Sequence, residues 1–387
     1  MDERTRLLKD ANRRTAPRRP VNPPIERATT LINAEAKTLR SNDLGAAYGI
    51  SGLKVHDVLR EALAELEHAE RVFLVPSGLA AATVAILAML DAGDDVILTD
   101  SSYSPTRRFS ETQLKRLGIT ARFAPSRSSA DELMAMCTDK TRLIVMESPG
   151  SLTFEIADAP AIAAAAHARR IHTMLDNTWA AGLYFKPLDH GVDLSVQALS
   201  KYVGGHSDVF LGSIAVKDAK VAKRIDDVIE DFGWYVSPDD AYLALRGLRT
   251  LPVRLDQHQR SALKVAQWLE QQPEVAQVLY PALPSSPDHA LWKRDFTGAS
   301  GLMGVELKPG SREAAEAFLD ALKLFGLGFS WGGFESLATY EDPQLRRRRH
   351  QARLAGPLVR LHIGLEGVDD LIADLRQGLD RYASMIG

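Results

Sequence analysis

The sequence predicts an α/β protein: a large, mainly parallel mixed sheet with helices on both faces, followed by a smaller C-terminal α+β region. Three observations carry this. Short apolar runs (Val72 to Val75, Val96 to Leu98, Leu143 to Met146, Ile171 to Leu175, Leu194 to Leu199, Ile214 to Val216) are separated by stretches of helical period, the alternation of a parallel sheet with crossover helices. Several of the runs end in a turn or a polar residue rather than in more apolar sequence, as buried strands do at a sheet edge. Past about Arg246 the character changes, and helical stretches at Ser261 to Leu269 and Arg312 to Leu324 mix with short runs at Leu302 to Leu307 and Val359 to Ile363.

In chain order, residues 1–53 read as an arm. Pro17, Pro20, Pro23 and Pro24 break helices, and Arg13, Arg14, Arg18 and Arg19 make it basic. A disordered tail and an arm reaching a neighbouring subunit both fit. Ser51 and Lys54 match a Ser-x-x-Lys pattern, but its partner motifs are absent and the match carries no weight. Val58, Leu59, Leu63 and Leu66 give the stretch from Val55 to Glu70 one apolar side. The run Val72 to Val75 then leads through Pro76-Ser77-Gly78 into an alanine-rich helix to Leu90. Such a helix start leaves backbone N–H groups facing an anion. The expected organisation is an arm (1–53), an α/β domain (54–247) and an α+β domain (248–387).

Composition narrows the function classes. With 387 residues, 45% apolar and 25% charged, the chain is long enough for substantial cores. A formal charge of −3 argues against nucleic acid as the main partner. The run from Gly78 to Leu90 is too short to span a bilayer. Cys137 is the only cysteine, so no disulfide forms within the chain, and cytoplasm is the expected compartment. No apolar signal-peptide core is visible. No strand is followed by a dinucleotide glycine motif, and P-loop and zinc-protease patterns are lacking.

The chemistry concentrates between Asp176 and Lys201. Asp176 stands at the end of an apolar strand, where open α/β sheets place ligands. Lys201, after a second strand, is either a solvated side chain or a desolvated amine held for reaction. Arg360 sits within an apolar strand pattern, snorkelling at an edge or paired with a buried carboxylate. The basic run Arg346 to Arg349 reads as a solvated helix face. An anion-binding helix start, an acid and a lysine together suit pyridoxal 5′-phosphate. The helix start would hold the phosphate, the acid the ring nitrogen by a charge-assisted bond, and the amine the aldehyde.

Longer motifs add a resemblance. They include Glu147-Ser-Pro-Gly-Ser, Asp176-Asn-Thr-Trp-Ala, Ser200-Lys-Tyr-Val-Gly-Gly-His-Ser-Asp, Ala244-Leu-Arg-Gly-Leu-Arg-Thr, Trp292-Lys-Arg-Asp-Phe-Thr-Gly-Ala-Ser-Gly, Ser330-Trp-Gly-Gly-Phe-Glu-Ser and Val359-Arg-Leu-His-Ile-Gly-Leu-Glu. On these, from about Val21 to the C-terminus, the chain resembles the Cys/Met-metabolism family of pyridoxal-phosphate enzymes, fold type I, and within it most the cystathionine β-lyases. Trp331 and His362 are usually other residues in the γ-synthases and γ-lyases. The resemblance implies that Lys201 is the Schiff-base lysine, that Asp176 partners the pyridinium nitrogen and that Tyr103 stacks on the ring. It implies phosphate contacts from Gly78, Leu79 and Ser200, and that Tyr48 of an adjacent subunit reaches the phosphate or the substrate. Arg360, with Ser330 and Trp331, would bind the substrate carboxylate.

The implied reaction is removal of a Cα proton and cleavage of a β C–S bond. With cystathionine it yields homocysteine, pyruvate and ammonia, in a homotetramer whose active sites lie at dimer interfaces. One stretch departs from the family pattern. Tyr48-Gly49-Ile50-Ser51-Gly52-Leu53 stands where Tyr-Gly-Arg-x-Gly-Thr is common, so a phosphate-binding arginine is missing, a loss of about 1.5–3 kcal/mol. Arg40 is the candidate replacement. Ser51 replaces a second basic group near the distal end of cystathionine, which leaves other cysteine S-conjugates, γ-replacement or a specialised biosynthetic step open as substrates and reactions. A non-catalytic relative is the remaining alternative.

Overall fold

The computed structural model describes residues 3–8, 20–39, 47–350, 352 and 354–387. Seven strands form the large sheet: β1 (Arg71–Val75), β2 (Asp95–Thr99), β3 (Thr120–Ala124), β4 (Thr141–Glu147), β5 (His172–Asp176), β6 (Leu194–Ala198) and β7 (Gly212–Val216). Their order is β1-β7-β6-β5-β4-β2-β3. Only β7 runs against its neighbours, β1 and β6; the other pairings are parallel. β1, β4, β5 and β6 therefore deliver their carboxyl ends to one edge of the sheet, the edge where α/β sheets hold ligands.

Both faces are buried, which is why the central strands read as unbroken apolar runs. Along β4, Leu143 and Val145 join one core cluster and Ile144 and Met146 the other. The first cluster is covered by helices Gly78–Met89 and Ala219–Phe232, the second by Lys54–Glu67 and Ala159–Ala168. In helix Lys54–Glu67, Leu59, Leu63 and Leu66 are fully buried as the spacing predicts, whereas Val58 is only partly buried and Val55 completes the buried face.

A second sheet follows: β8 (Val275–Leu279), β9 (Leu302–Leu307), β10 (Gly326–Leu327), β11 (Leu337–Tyr340) and β12 (Leu358–His362), in the order β10-β11-β12-β9-β8. All its pairings are antiparallel except β10 with β11. Helices Arg312–Ala321 and Val368–Ile386 pack on each other beside it.

Two stretches differ from expectation. Arg346 to Arg349 do not form a solvated helix face, because helix Asp342–Leu345 ends before them. Arg348 is buried, donates to Thr153 Oγ1 at 2.8 Å and to the Ser151 carbonyl, and lies 3.8 Å from Glu155. Arg349 meets Glu111 at 2.9 Å. Only Arg348 is drawn inward, by groups on the loop after β4, while Arg346, Arg347 and Arg349 stay exposed.

At the N-terminus, Glu3–Leu8 is a helix that packs on Lys54–Glu67 of the same chain, with Leu7 buried and Arg4 2.8 Å from Asp256. Arg27 grips Asp239 through two nitrogens, at 2.9 and 2.5 Å. Arg13, Arg14, Pro17, Arg18, Arg19 and Arg40 lie outside the described residues.

Candidate active site

The first element of the site is the start of helix Gly78–Met89, directly after β1. Ser77 caps it, its Oγ accepting the Ala80 N–H at 3.1 Å. The Gly78 and Leu79 amides precede the first intrahelical donor, the Ala81 N–H bonded to the Ser77 carbonyl, and remain available to an anion. Gly78 must be glycine here. A Cβ would stand 2.4 Å from Ala198 Cβ and 2.8 Å from Ala198 Cα, so the helix start lies directly on the end of β6.

Ala198 also ties in the other two elements. Its N–H donates at 2.9 Å to Thr178 Oγ1, and Thr178 in turn donates to Asp176 Oδ1 from its hydroxyl (2.5 Å) and its N–H (3.0 Å). Its carbonyl accepts the Lys201 N–H at 3.1 Å. The helix start, Asp176 and Lys201 thus meet around one small residue, although 123 positions separate Gly78 from Lys201.

Lys201 Nζ donates to Ser330 Oγ at 2.5 Å and stands 5.2 Å from the centre of the Trp331 ring. Burial, and then the charge of Arg360, bring its pKa down from 10.5 to about 8, against the pull of Asp176. It is therefore the desolvated amine of the two readings open at the sequence level. Burial pushes the Asp176 carboxyl up, while the two Thr178 bonds and the Lys201 charge hold it down.

Arg360 projects from β12 of the second sheet. Its side chain is 12% exposed, 3.5 Å from the fully buried Glu341, and donates to the Ser330 carbonyl at 3.3 Å. Of its two open readings, the buried pair is the one found. Ser330 joins the two sheets: its hydroxyl faces Lys201 and its carbonyl faces Arg360.

Tyr103 is 47% exposed and donates its N–H to Glu147 Oε2 at 2.5 Å. Its hydroxyl pKa is raised by burial and by the charges of Glu147 and Asp176. The Ser200 hydroxyl is engaged by Leu211, donating to the carbonyl (3.2 Å) and accepting the N–H (2.9 Å). A phosphate contact from it would replace the bond to the Leu211 carbonyl, since the hydroxyl has one proton to donate. Tyr48 has other neighbours. Its backbone bridges Thr30, and Ile50, Ser51 and Gly52 line a cavity of about 520 Å³ with His56, Arg60 and Trp234.

Sequence reasoning gave no role to Glu147, Thr178, Glu341 or His362. Glu147 ends β4 in register with Asp176 at the end of β5, and the acid-at-strand-end signal that singled out Asp176 applies to it equally. Burial and the neighbouring Asp176 push its pKa well up. For Glu341 the partners are brought together only by the antiparallel sheet, and no local pattern marks it.

An anion cradle, a half-buried acid and a lowered-pKa amine around Ala198 fit a flat cofactor with a phosphate, a ring nitrogen and an aldehyde. Comparison with known proteins agrees. The profile of the Cys/Met metabolism PLP-dependent enzymes matches residues 4–380. The chain belongs to this family. It therefore uses pyridoxal 5′-phosphate. The chain is 43% identical over 372 residues to the cystathionine β-lyase of Bordetella avium, covering 94% of this chain and 93% of that one. It is likewise 43% identical over 372 residues to the cystathionine β-lyase MetC of Escherichia coli K12, covering 93% of this chain and 94% of that one. A solved cystathionine γ-synthase from Xanthomonas oryzae pv. oryzae superposes with a TM-score of 0.91 at 31% identity, over 100% of this chain and 99% of that one.

Proposed function

We propose that this protein is a carbon–sulfur β-lyase that cleaves cystathionine to homocysteine, pyruvate and ammonia. The convergence of Gly78, Asp176 and Lys201 on Ala198, with Arg360 reaching the same amine from the second sheet, is the observation that carries the reading. When bound, the protonated pyridine ring of the cofactor draws off the electron pair left at the substrate Cα.

The chain's own groups have the following tasks. The Gly78 and Leu79 amides would hold the phosphate, joined by Ser200 once its hydroxyl turns from the Leu211 carbonyl, and Tyr103 would stack on the ring. Asp176 keeps the ring nitrogen protonated through a charge-assisted bond. Arg360 binds the substrate carboxylate, with Ser330 and Trp331 beside it. Lys201 would anchor the aldehyde, be released as a free amine when the substrate amine takes its place, and then carry the Cα proton to the leaving thiolate. A pKa of about 8 suits this double duty, since both forms are populated near neutrality.

The relatives compared above act on cystathionine by name, and they support that substrate. Assembly into a homotetramer with Tyr48 serving an adjacent subunit is supported by exposed apolar side chains, Phe210 and Phe329 at 80% and Val253 at 70%. No helix among the described residues is long and apolar enough to cross a membrane. A cytoplasmic setting suits the single cysteine.

The test is a panel of cystathionine and S-alkylcysteines assayed for keto acid and free thiol. Equal amounts of pyruvate and homocysteine from cystathionine are expected, and Lys201→Ala should lose the visible absorbance of the bound cofactor. Release of 2-oxobutyrate and cysteine would reassign the enzyme as a γ-lyase. Activity on S-alkylcysteines alone would trace the Ile50 and Ser51 substitutions to a different substrate.

A further inference from the structure

The Ser330–Gly332 turn lies on the backbone of Lys201 in a conformation that needs support. Ser330 has φ +95°, in the left-handed region that costs a non-glycine residue free energy. Gly332 has φ +87°, and a Cβ there would approach Lys201 Cα to 2.9 Å and Tyr202 N to 2.8 Å. The turn therefore sits as close to Lys201 as a backbone can.

Its support comes from His362, two residues beyond Arg360 and at the end of β12. The Gly332 N–H donates to His362 Nε2 at 3.1 Å, and His362 Nδ1 stands 3.0 Å from the Glu335 carbonyl. With Nε2 accepting, the ring proton is on Nδ1 and donates to that carbonyl. One imidazole thus binds the loop at two points, residues 332 and 335. The ring is 1% exposed, with Tyr202 and His258 beside it at 5.8 and 5.3 Å between centroids. Burial, then the nearby His258, Arg360 and Lys201, oppose a second proton, and only the Glu335 carbonyl favours one. A neutral ring with one donor and one acceptor is what the loop requires.

We infer that His362 is a positioning residue for the reaction. By fixing the Ser330–Gly332 turn it holds the Ser330 hydroxyl and the Trp331 ring against Lys201 Nζ, without itself touching the reacting groups. The inference rests on the proposed function only in taking Lys201 as the reactive amine. A lost acceptor would leave the Gly332 N–H buried and unpaired, and Ser330 would relax from its left-handed conformation. Lys201 would then lose both contacts and gain water.

The test compares His362→Phe, which keeps an aromatic ring but neither bond, with His362→Gln, whose amide can accept from Gly332 and donate to Glu335. The first readout is the pH dependence of Lys201 acylation by acetic anhydride in cofactor-free protein, followed by peptide mass spectrometry. His362→Phe is expected to raise the pH at which the free amine appears by about one unit, as burial is undone. In the loaded enzyme it should lower kcat by about 100-fold, the scale of a misplaced catalytic group. His362→Gln should restore most of both. If the Phe variant does not fold, His362→Asn, too short to bridge both groups, replaces it with the same expected results. Wild-type acylation in the Phe or Asn variant, or equal damage in the Gln variant, overturns the inference, even where thermal stability falls. Failure of the wild type to release pyruvate from cystathionine would instead strike at the proposed function and leave the Lys201 titration to be judged by itself.

Discussion

A buried guanidinium is costly unless a carboxylate compensates it, and removing one partner of such a pair costs more than the pair contributes. Arg360 illustrates this. Glu341 is fully buried 3.5 Å away, and is held in turn by the Thr339 hydroxyl at 2.7 Å and by the Gln344 amide. Glu341→Ala is therefore expected to destabilise the protein by about 3 kcal/mol, read as a lower urea midpoint. It should also raise KM for the amino-acid substrate at least tenfold, since a loosened Arg360 no longer presents its fork to the carboxylate. An unchanged KM would mean that β12 alone aims the guanidinium. At this scale the sequence reveals residues that announce themselves locally. Lys201 and Asp176 each follow an apolar strand. Glu341 and His362 act through partners that the second sheet and the 330–336 loop bring to them, and nothing beside them in the chain says so. Ser200 shows the converse: the resemblance implies a phosphate contact from its hydroxyl, whereas the Leu211 backbone already engages it.

Among the elements, the helix start at Gly78 depends most on a single atom's absence. Gly78→Ala would place a Cβ 2.4 Å from Ala198 Cβ, and the nearby Ala198 Cα is backbone that cannot swing aside. Overpacking of this kind costs about 1–3 kcal/mol, and relief requires the helix to lift from β6. Its first amides would then move relative to Asp176 and Lys201. Pyridoxal phosphate should bind the variant at least tenfold more weakly, measured by titrating cofactor-free protein and following absorbance. Wild-type affinity would show that the phosphate is held elsewhere. The strands that were legible in the sequence are the central ones and β1, which lies at an edge but is buried from Val72 to Val75. β4, β5 and β6 are buried on both faces and read as apolar runs. Those that were not legible lie at or next to sheet edges. β3 and β8 carry exposed or half-exposed positions, and β10 and β11 are two and four residues long. Hydrogen bonding to a neighbour, rather than their own hydrophobicity, makes them strands.

For the molecule as a whole, the buried ionisable groups oppose one another as pH changes. His258 is lowered to about 4 by burial, and His56 and His362 are lowered too. Between their folded and unfolded pKa values the unfolded chain binds more protons, so these histidines make stability rise with pH up to about 6.5. Glu67 acts in the opposite sense. It is 1% exposed, bonded to Ser195 Oγ at 3.1 Å and to the Gln197 amide, and burial raises its pKa from 4.5 to about 7 despite the nearby Lys186. A carboxyl with a raised folded pKa binds its proton more tightly in the native state, so its contribution is present below pH 4.5 and is lost as pH climbs towards 7. The loss amounts to about 1.4 kcal/mol per unit, or about 3 kcal/mol over the window. Glu67→Gln keeps the shape and removes the titration. Its stability relative to wild type should therefore increase by about 3 kcal/mol from pH 4.5 to 7, whatever offset the amide introduces at low pH. Urea unfolding of both proteins at half-unit pH steps measures this difference directly. A constant difference would show that Glu67 titrates alike in the folded and unfolded chains, and that Lys186 compensates its charge fully in the folded interior.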